Sequence, residues 1–352
     1  DPVTAKELET LISSNNLTEL ESRFASRLQF GTAGLRGELG AGSNRMNRVL
    51  VAQAAAGLGR YLGSGSSVVI GFDGRINSDI FAKDSAEILT GMGIKVFLLD
   101  EMCPTPLISF ATRYLNASAG IMVTASHNPP KDNGYKLYLG GDFHGSQIIS
   151  PIDSEIEKQI ELVAESETFG SLPKSSDYEL IGQEIRTAYY NSVLEIAGKT
   201  ENQIKIVYTA MHGVGWKAAQ EIFSMAGHQN LIPVSEQIHP DGNFPTVSFP
   251  NPEEPGAMDL ALAKGEEANA DLVIANDPDA DRVAVAVRHH GKLVRLTGDQ
   301  VGLILGDEIA KRTKNGTLAC SIVSSSALEK VAEFYGLGFA QTLTGFKWIS
   351  KA

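Results

Sequence analysis

The segment from Thr124 to Lys136 contains several side chains that can do chemistry. Its sequence, Thr-Ala-Ser-His-Asn-Pro-Pro-Lys-Asp-Asn-Gly-Tyr-Lys, places a hydroxyl, an imidazole and a lysine around an Asn-Pro-Pro turn. The apolar run 119–123 precedes it and predicts a buried strand. A serine at the end of such a strand is presented where a substrate can reach it. We therefore interpret Ser126 as the centre of a phosphate-transfer or acyl-transfer site.

A second loop distinguishes between these two chemistries. Asp277, Asp279 and Asp281 follow the apolar run 272–275 at alternate positions, and three such carboxylates form an oxygen cage that suits Mg²⁺. Acyl transfer by a serine has no need of this cage, whereas phosphoryl transfer uses a divalent cation to neutralise charge. The loop favours phosphoryl transfer. A solvated acidic turn or an aspartyl-phosphatase nucleophile are the alternatives.

The two loops resemble those of the α-D-phosphohexomutase superfamily, in particular its phosphoglucomutase-2/phosphopentomutase branch. The resemblance extends over essentially the whole chain. It also includes the segments 31–37, 44–47, 72–75, 104–106, 249–254 and 344–349. The serine and aspartate loops together make it specific, because any one of the shorter segments would be weak alone.

The resemblance implies that Ser126 is carried as a phosphoserine that donates its phosphate. It also implies one Mg²⁺ per active site, with Asp277, Asp279, Asp281 and a Ser126 phosphate oxygen as ligands. A phosphoserine brings close to two negative charges that would help to recruit the metal, so we expect Ser126 and the aspartates to converge in space. The alternative for Ser126 is a turn serine that caps a helix.

Three basic side chains are candidates for proton transfer and charge balance. Lys136 is ten residues beyond Ser126 across an Asn-Gly turn and can fold back towards it, while Arg36 lies in a glycine-rich segment where a guanidinium can clamp phosphate. An attacking sugar hydroxyl must lose its proton to some base. By the resemblance, His127 and Lys136 assist and Arg36 balances charge, and the identity of the base stays open.

The resemblance also suggests substrate-binding residues. Thr344, Gly345 and Lys347 lie in a segment similar to the sugar-recognition loop of the family, although a strand-to-helix turn is the simpler interpretation of that segment. Arg282 directly follows the three carboxylates and is a further candidate. The segment 208–215 is interpreted as a glycine-containing strand-to-helix connection, and His212 is given no catalytic role.

Bulk properties exclude several classes of protein. A formal net charge of −12 argues against a nucleic-acid partner. The two cysteines, Cys103 and Cys320, fit neither a disulfide framework nor a zinc site, so a reducing cytoplasm is expected. No run of transmembrane length and no signal-peptide core is visible. The expected partners are small-molecule sugar phosphates, without nucleic acid or membrane, and the oligomeric state stays open.

The fold prediction is an α/β protein with repeated three-layer α/β/α domains and mixed sheets, because predicted strands alternate with helices. We expect domain I at 1–180, domain II at 181–296 and a partial domain III at 297–352, with a polar connection at 163–179. Segments 116–126 and 268–277 form a faint repeat, each a strand that ends in a candidate functional loop.

The predicted function is a phosphoglucomutase that moves phosphate between the 1- and 6-positions of glucose phosphate, with a sugar bisphosphate as intermediate and activator. Phosphopentomutase and phosphomannomutase are the alternatives within the class, and a non-catalytic phosphosugar-binding fragment is the alternative outside it. Members of the superfamily continue past Ala352 into a glutamate-containing sugar loop and a fourth domain. The resemblance therefore predicts an incomplete third domain and slow turnover by this chain alone.

Overall fold

The computed structural model describes residues 1–29, 34–200 and 203–352. Residues 31–33 of the predicted glycine-rich segment therefore lie outside the described residues. Within the described ranges, no helix is both long enough and apolar enough to cross a membrane.

The first region is a mixed sheet between two layers of helices. Its strands run in the order β1-β5-β4-β2-β3-β7, with β6 paired to β5. Strands β2, β3, β4 and β7 are parallel, whereas β5 is antiparallel to β4 and β1. The elements are α1 (Pro2–Ser13), α2 (Leu17–Phe24), β1 (Leu35–Glu38), α3 (Arg48–Leu62), β2 (Ser67–Phe72), α4 (Ser78–Gly91), β3 (Lys95–Leu99), α5 (Thr105–Tyr114), β4 (Ala119–Val123), β5 (Asp132–Leu139), β6 (Ser146–Gln147), α6 (Ile152–Ser166) and β7 (Glu179–Ile181).

Alternation along β2 shows how this sheet is covered on both faces. Val68 and Ile70 pack into one apolar cluster, with residues of α3, α4 and α6. Val69 points the other way, into a second cluster with residues of α5. Because successive side chains of a strand face opposite sides, these two clusters make the region a three-layer α/β/α domain, as predicted.

The second region repeats the pattern with a five-stranded mixed sheet, in the order β12-β11-β10-β8-β9. The third region described here contains a two-stranded parallel sheet, β13-β14, with its helices. The elements are α7 (Gln183–Ala197), β8 (Ile206–Thr209), α8 (Gly215–Met225), β9 (Leu231–Pro233), α9 (Asp259–Glu267), β10 (Leu272–Asn276), β11 (Val283–His289), β12 (Lys292–Arg295), α10 (Gly298–Arg312), β13 (Thr317–Ser321), α11 (Ala327–Tyr335), β14 (Gly338–Thr342) and α12 (Phe346–Ile349).

The predicted connection at 163–179 is shorter than expected. Helix α6 continues to Ser166, because Ile156, Ile160 and Val163 form an apolar stripe that is buried with α3 residues in the first core. Strand β7 begins at Glu179 and joins the first sheet beside β3. The domain boundary proposed at residue 180 falls inside β7 and stays a prediction.

Each of the two candidate loops directly follows a strand. All five residues of β4 are buried, and the serine loop begins directly after Val123. Strand β10 lies parallel to β8 in the second sheet, and the aspartate loop begins directly after Asn276. The backbone N–H of Thr105 donates to the carbonyl of Asp279 at 2.9 Å, so the two regions are joined at this edge. Both loops thus lie at the carboxyl ends of strands, the usual position of ligand-binding loops in α/β proteins.

Candidate active site

Ser126 lies buried at the junction of the first two regions, with 1% of its surface exposed. Its backbone is in the left-handed region, with φ at 53°, and its N–H donates to Thr124 Oγ1 at 2.8 Å. The Ser126 hydroxyl donates to Asp277 Oδ2 at 2.7 Å and is 3.3 Å from His127 Nδ1. The hydroxyl predicted to react therefore faces the carboxylates predicted to bind metal.

The three aspartates converge as the spacing suggested. One carboxylate oxygen from each of Asp277, Asp279 and Asp281 lies within 4.8 Å of the others. Asp279 is fully buried, and its Oδ1 has no hydrogen-bond partner among the described residues. A buried carboxylate oxygen without a donor is costly unless a cation meets it. Hard oxygen donors in this arrangement suit Mg²⁺.

Lys136 neutralises part of this charge from the first region. Its Nζ lies 2.6 Å from Asp279 Oδ2 and 2.7 Å from Asp281 Oδ2. Burial alone would lower the pKa of the Lys136 ammonium, but the two carboxylates outweigh burial and hold that pKa above its usual value. Lys136 is consequently a fixed positive charge in this arrangement.

The aspartates differ in the direction in which their pKa values are shifted. Burial and the neighbouring Asp279 and Asp281 carboxylates raise the pKa of Asp277 well above its usual range. Burial would also raise the pKa of Asp279, but the contact with Lys136 more than offsets it and leaves that pKa low. Like charges within one site cannot all ionise freely, so the cluster favours a bound cation.

The connection between β8 and α8 packs directly against the aspartate loop. The N–H of Val214 donates to the carbonyl of Pro278 at 2.8 Å. A Cβ on Gly213 would lie 2.3 Å from the Pro278 carbonyl oxygen, so only glycine allows this approach. His212 Nε2 is 2.8 Å from Thr246 Oγ1 in the same connection. This matches the predicted strand-to-helix connection.

One cavity of about 660 Å³ gathers most of the remaining candidates. The cavity is lined by Ser126, Lys136 and Asp281 and by Arg36. The four predicted substrate-binding residues also line it, namely Arg282, Thr344, Gly345 and Lys347. The Nε of Arg36 is buried without a hydrogen-bond partner among the described residues. Lys347 lies buried at the start of α12, with its ammonium 5.3 Å from the Trp348 ring centre.

His127 lies beside the cavity rather than in its lining. Burial, together with the nearby Arg282 and Arg36 guanidinium groups, lowers the pKa of its imidazole to about 4. The Phe249 ring packs edge-on against the imidazole, with ring centres 5.8 Å apart. At neutral pH the ring is therefore uncharged and has a nitrogen able to accept a proton.

Family models match three consecutive parts of the chain. They are described as phosphoglucomutase/phosphomannomutase alpha/beta/alpha domain I at residues 27–167, domain II at 187–291 and domain III at 297–352. The crystal structure of a putative phosphomannomutase from Thermus thermophilus superposes with a TM-score of 0.75 at 30% identity, covering 92% of this chain and 70% of that one. The chain belongs to the α-D-phosphohexomutase superfamily.

Curated relatives of this superfamily carry different substrate names. A probable phosphomannomutase of Haemophilus influenzae is 50% identical over 312 residues, covering 87% of this chain and 64% of the relative. The phosphoribomutase of Saccharomyces cerevisiae is 38% identical over 387 residues, covering 99% of this chain and 62% of the relative. The human phosphopentomutase is 36% identical and is covered to 61%. This chain therefore spans somewhat under two thirds of the length of these relatives.

Two side chains that contact the candidate site were not identified from the sequence. Thr105 donates its hydroxyl to Asp279 Oδ2, and Arg75 contacts the backbone of the serine loop. Thr105 lies in segment 104–106 and Arg75 in segment 72–75, and both segments are part of the family resemblance. The sequence therefore pointed to these segments but did not indicate what either side chain contacts. The roles depend on contacts across the fold, which residue spacing does not reveal.

Proposed function

We propose that this chain carries the phosphoryl-transfer site of a phosphosugar mutase, with Ser126 as the phosphate carrier. The contact between Ser126 Oγ and Asp277 Oδ2, inside a cluster of three carboxylates, is the observation that supports it most directly. If Ser126 were only a turn residue, its hydroxyl would not be expected to lie beside carboxylates from another region.

The step that the residues support is transfer from phosphoserine to a sugar hydroxyl. The bond between phosphorus and Ser126 Oγ breaks as the bond to the sugar oxygen forms, and the proton lost by the sugar hydroxyl ends on Ser126 Oγ, which becomes a free hydroxyl. The bisphosphate then turns over and returns its other phosphate to Ser126. A Mg²⁺ held by the three aspartates would neutralise charge on the moving phosphoryl group.

The basic residues divide into two kinds. The Lys136 ammonium is kept protonated by two carboxylates, so it contributes positive charge rather than a free base. The neutral His127 imidazole, 3.3 Å from Ser126 Oγ, is placed to exchange a proton near that oxygen. Arg36, whose buried Nε has no partner among the described residues, is placed to contact the phosphate.

For the sugar, the names of the relatives favour pentose or mannose phosphate over the glucose phosphate that the sequence alone suggested. Thr344, Gly345 and Lys347 line the same cavity as Ser126 and are proposed to recognise the sugar. We place ribose phosphate first, because the phosphoribomutase and phosphopentomutase relatives are 38% and 36% identical over 99% of this chain. Mannose phosphate is the second candidate, because the phosphomannomutase relative is 50% identical over 87% of it.

The test is phosphorylation of Ser126 by a sugar bisphosphate. The chain is incubated with Mg²⁺ and with ribose, mannose or glucose bisphosphate, and the peptide containing Ser126 is analysed by mass spectrometry. Phosphate on Ser126, fastest with the ribose compound, is the expected result. Binding of these compounds without any phosphate on Ser126 would support the non-catalytic alternative instead.

A further inference from the structure

Arg75 uses its guanidinium in an unusual way, because its two terminal nitrogens both donate to the backbone of one loop. Nη1 donates to the carbonyls of Pro129 and Asp132, both at 2.9 Å. Nη2 donates to the carbonyls of Ser126 at 2.7 Å and Asn128 at 2.5 Å. The two terminal nitrogens carry four N–H groups between them, so each has a carbonyl acceptor.

The loop needs this external donor because its own backbone supplies few. Pro129 and Pro130 have no N–H group, and Ser126 is in the left-handed region with φ at 53°. An L-residue with a side chain is strained there unless its surroundings fix it. Without Arg75, the buried carbonyl of Ser126 would lose its donor, which is costly for a buried backbone group.

Arg75 is itself fixed from two directions. Asp73 Oδ1 accepts from the backbone N–H of Arg75 at 3.0 Å, and Asp73 Oδ2 lies 3.6 Å from Nε. The ring of Phe244 covers the guanidinium, with its centre 4.9 Å away. Phe244 belongs to the long connection between β9 and α9, and it is 3% exposed. The guanidinium therefore sits between the serine loop and the second region.

We propose that Arg75 is a positioning residue that holds the Ser126 backbone in the conformation that aims its hydroxyl at Asp277. Only a planar guanidinium can donate to four carbonyls at once, since an ammonium has three N–H groups and no fixed fork. Because Phe244 belongs to the second region, that region also helps to fix the position of the Arg75 guanidinium. The inference rests on the proposed function for its kinetic consequence, but not for its effect on the loop.

The test compares Arg75→Lys with Arg48→Lys. Arg48 also uses its planar guanidinium, in a two-point contact with Asp84 at 2.6 and 2.7 Å, but that pair lies outside the serine loop. Two measurements are made on each variant and on the wild type. One is the rate of Ser126 phosphorylation by a sugar bisphosphate with Mg²⁺, and the other is amide hydrogen exchange over residues 124–132.

Arg75→Lys is expected to slow phosphorylation on the order of 100-fold, since a small misplacement of a reacting atom has this scale of effect. The loss should appear at saturating bisphosphate, with the half-saturating concentration unchanged. Exchange over 124–132 should rise in Arg75→Lys and stay at the wild-type level in Arg48→Lys. A wild-type rate and wild-type exchange in Arg75→Lys would overturn the inference.

Two further outcomes of these measurements lead to separate conclusions. If wild-type Ser126 takes no phosphate, the proposed function fails, and the exchange measurement alone decides the role of Arg75. If Arg75→Lys does not fold, Phe244→Leu decides, because it removes the covering ring and leaves all four hydrogen bonds available. Phe244→Leu should then raise exchange over 124–132 and slow phosphorylation, and no change in either would overturn the inference.

Discussion

Ser126 and Asp277 are 151 residues apart in the chain, and the serine hydroxyl donates to the aspartate at 2.7 Å. They come from different sheets, each at the end of a strand. The proposed phosphate carrier and the candidate metal cluster therefore form one site only when the first two regions are docked. Changes that disturb this docking should affect metal binding and phosphorylation together.

Replacing Ser126 should remove phosphorylation without unfolding the chain. In Ser126→Ala the carrier oxygen is absent, so a sugar bisphosphate should leave no phosphate on the 124–136 peptide, as checked by mass spectrometry. Ser192→Ala is the matched control, because Ser192 lines the same cavity and should leave phosphorylation unchanged. Undiminished phosphate incorporation by Ser126→Ala would contradict the assignment of the carrier.

Mg²⁺ should stabilise the chain through the three aspartates. A ligand at 100 times its dissociation constant raises the free energy of unfolding by about 2.7 kcal/mol. Thermal unfolding with Mg²⁺ and with EDTA measures this increment, and Asp279→Asn should abolish most of it. Asp259→Asn, an exposed aspartate of the same region, should keep it. An equal increment in both variants would place the metal elsewhere.

Removing the Lys136 charge should destabilise the chain and make it depend more strongly on Mg²⁺. Lys136→Met leaves Asp279 and Asp281 without their buried partner, which costs about 3–5 kcal/mol. The exposed pair of Lys311 and Asp307 provides the control, and Lys311→Met should cost at most about 1 kcal/mol. Urea unfolding measures both, and the Mg²⁺-dependent gain should be larger in Lys136→Met than in the wild type.

A methyl group on Gly213 should displace the aspartate loop. Because its Cβ would lie 2.3 Å from the backbone of Pro278, Gly213→Ala should destabilise the chain by about 1–3 kcal/mol. It should also weaken Mg²⁺ binding, as measured by titration calorimetry. Gly302→Ala, inside α10 with no described atom within 4 Å of the added carbon, should instead be neutral or stabilising by up to about 1 kcal/mol. Unchanged Mg²⁺ affinity in Gly213→Ala would show that the close approach of Gly213 to Pro278 does not determine the position of the aspartates.

Local patterns were enough to predict the framework. The apolar runs at 119–123 and 272–275 predicted β4 and β10, since buried strands of an α/β protein are nearly all apolar. The three alternate aspartates predicted a cation site, because their residue types and spacing already specify an oxygen cage. The connection at 163–179 was predicted less well, as the apolar stripe that extends α6 to Ser166 lies among polar residues.

The sequence by itself determined which loops are the candidates for the chemistry, because strand, turn and carboxylate signals are all short-range. Only the tertiary structure decided the partners within the site. Lys136 reaches Asp279 across 143 residues, and Arg75 reaches the carbonyls of the serine loop. The first contact depends on how two regions dock, and the second uses backbone atoms that every residue shares. Neither leaves a distinctive pattern in the order of side chains, which is why the fold was needed to find them.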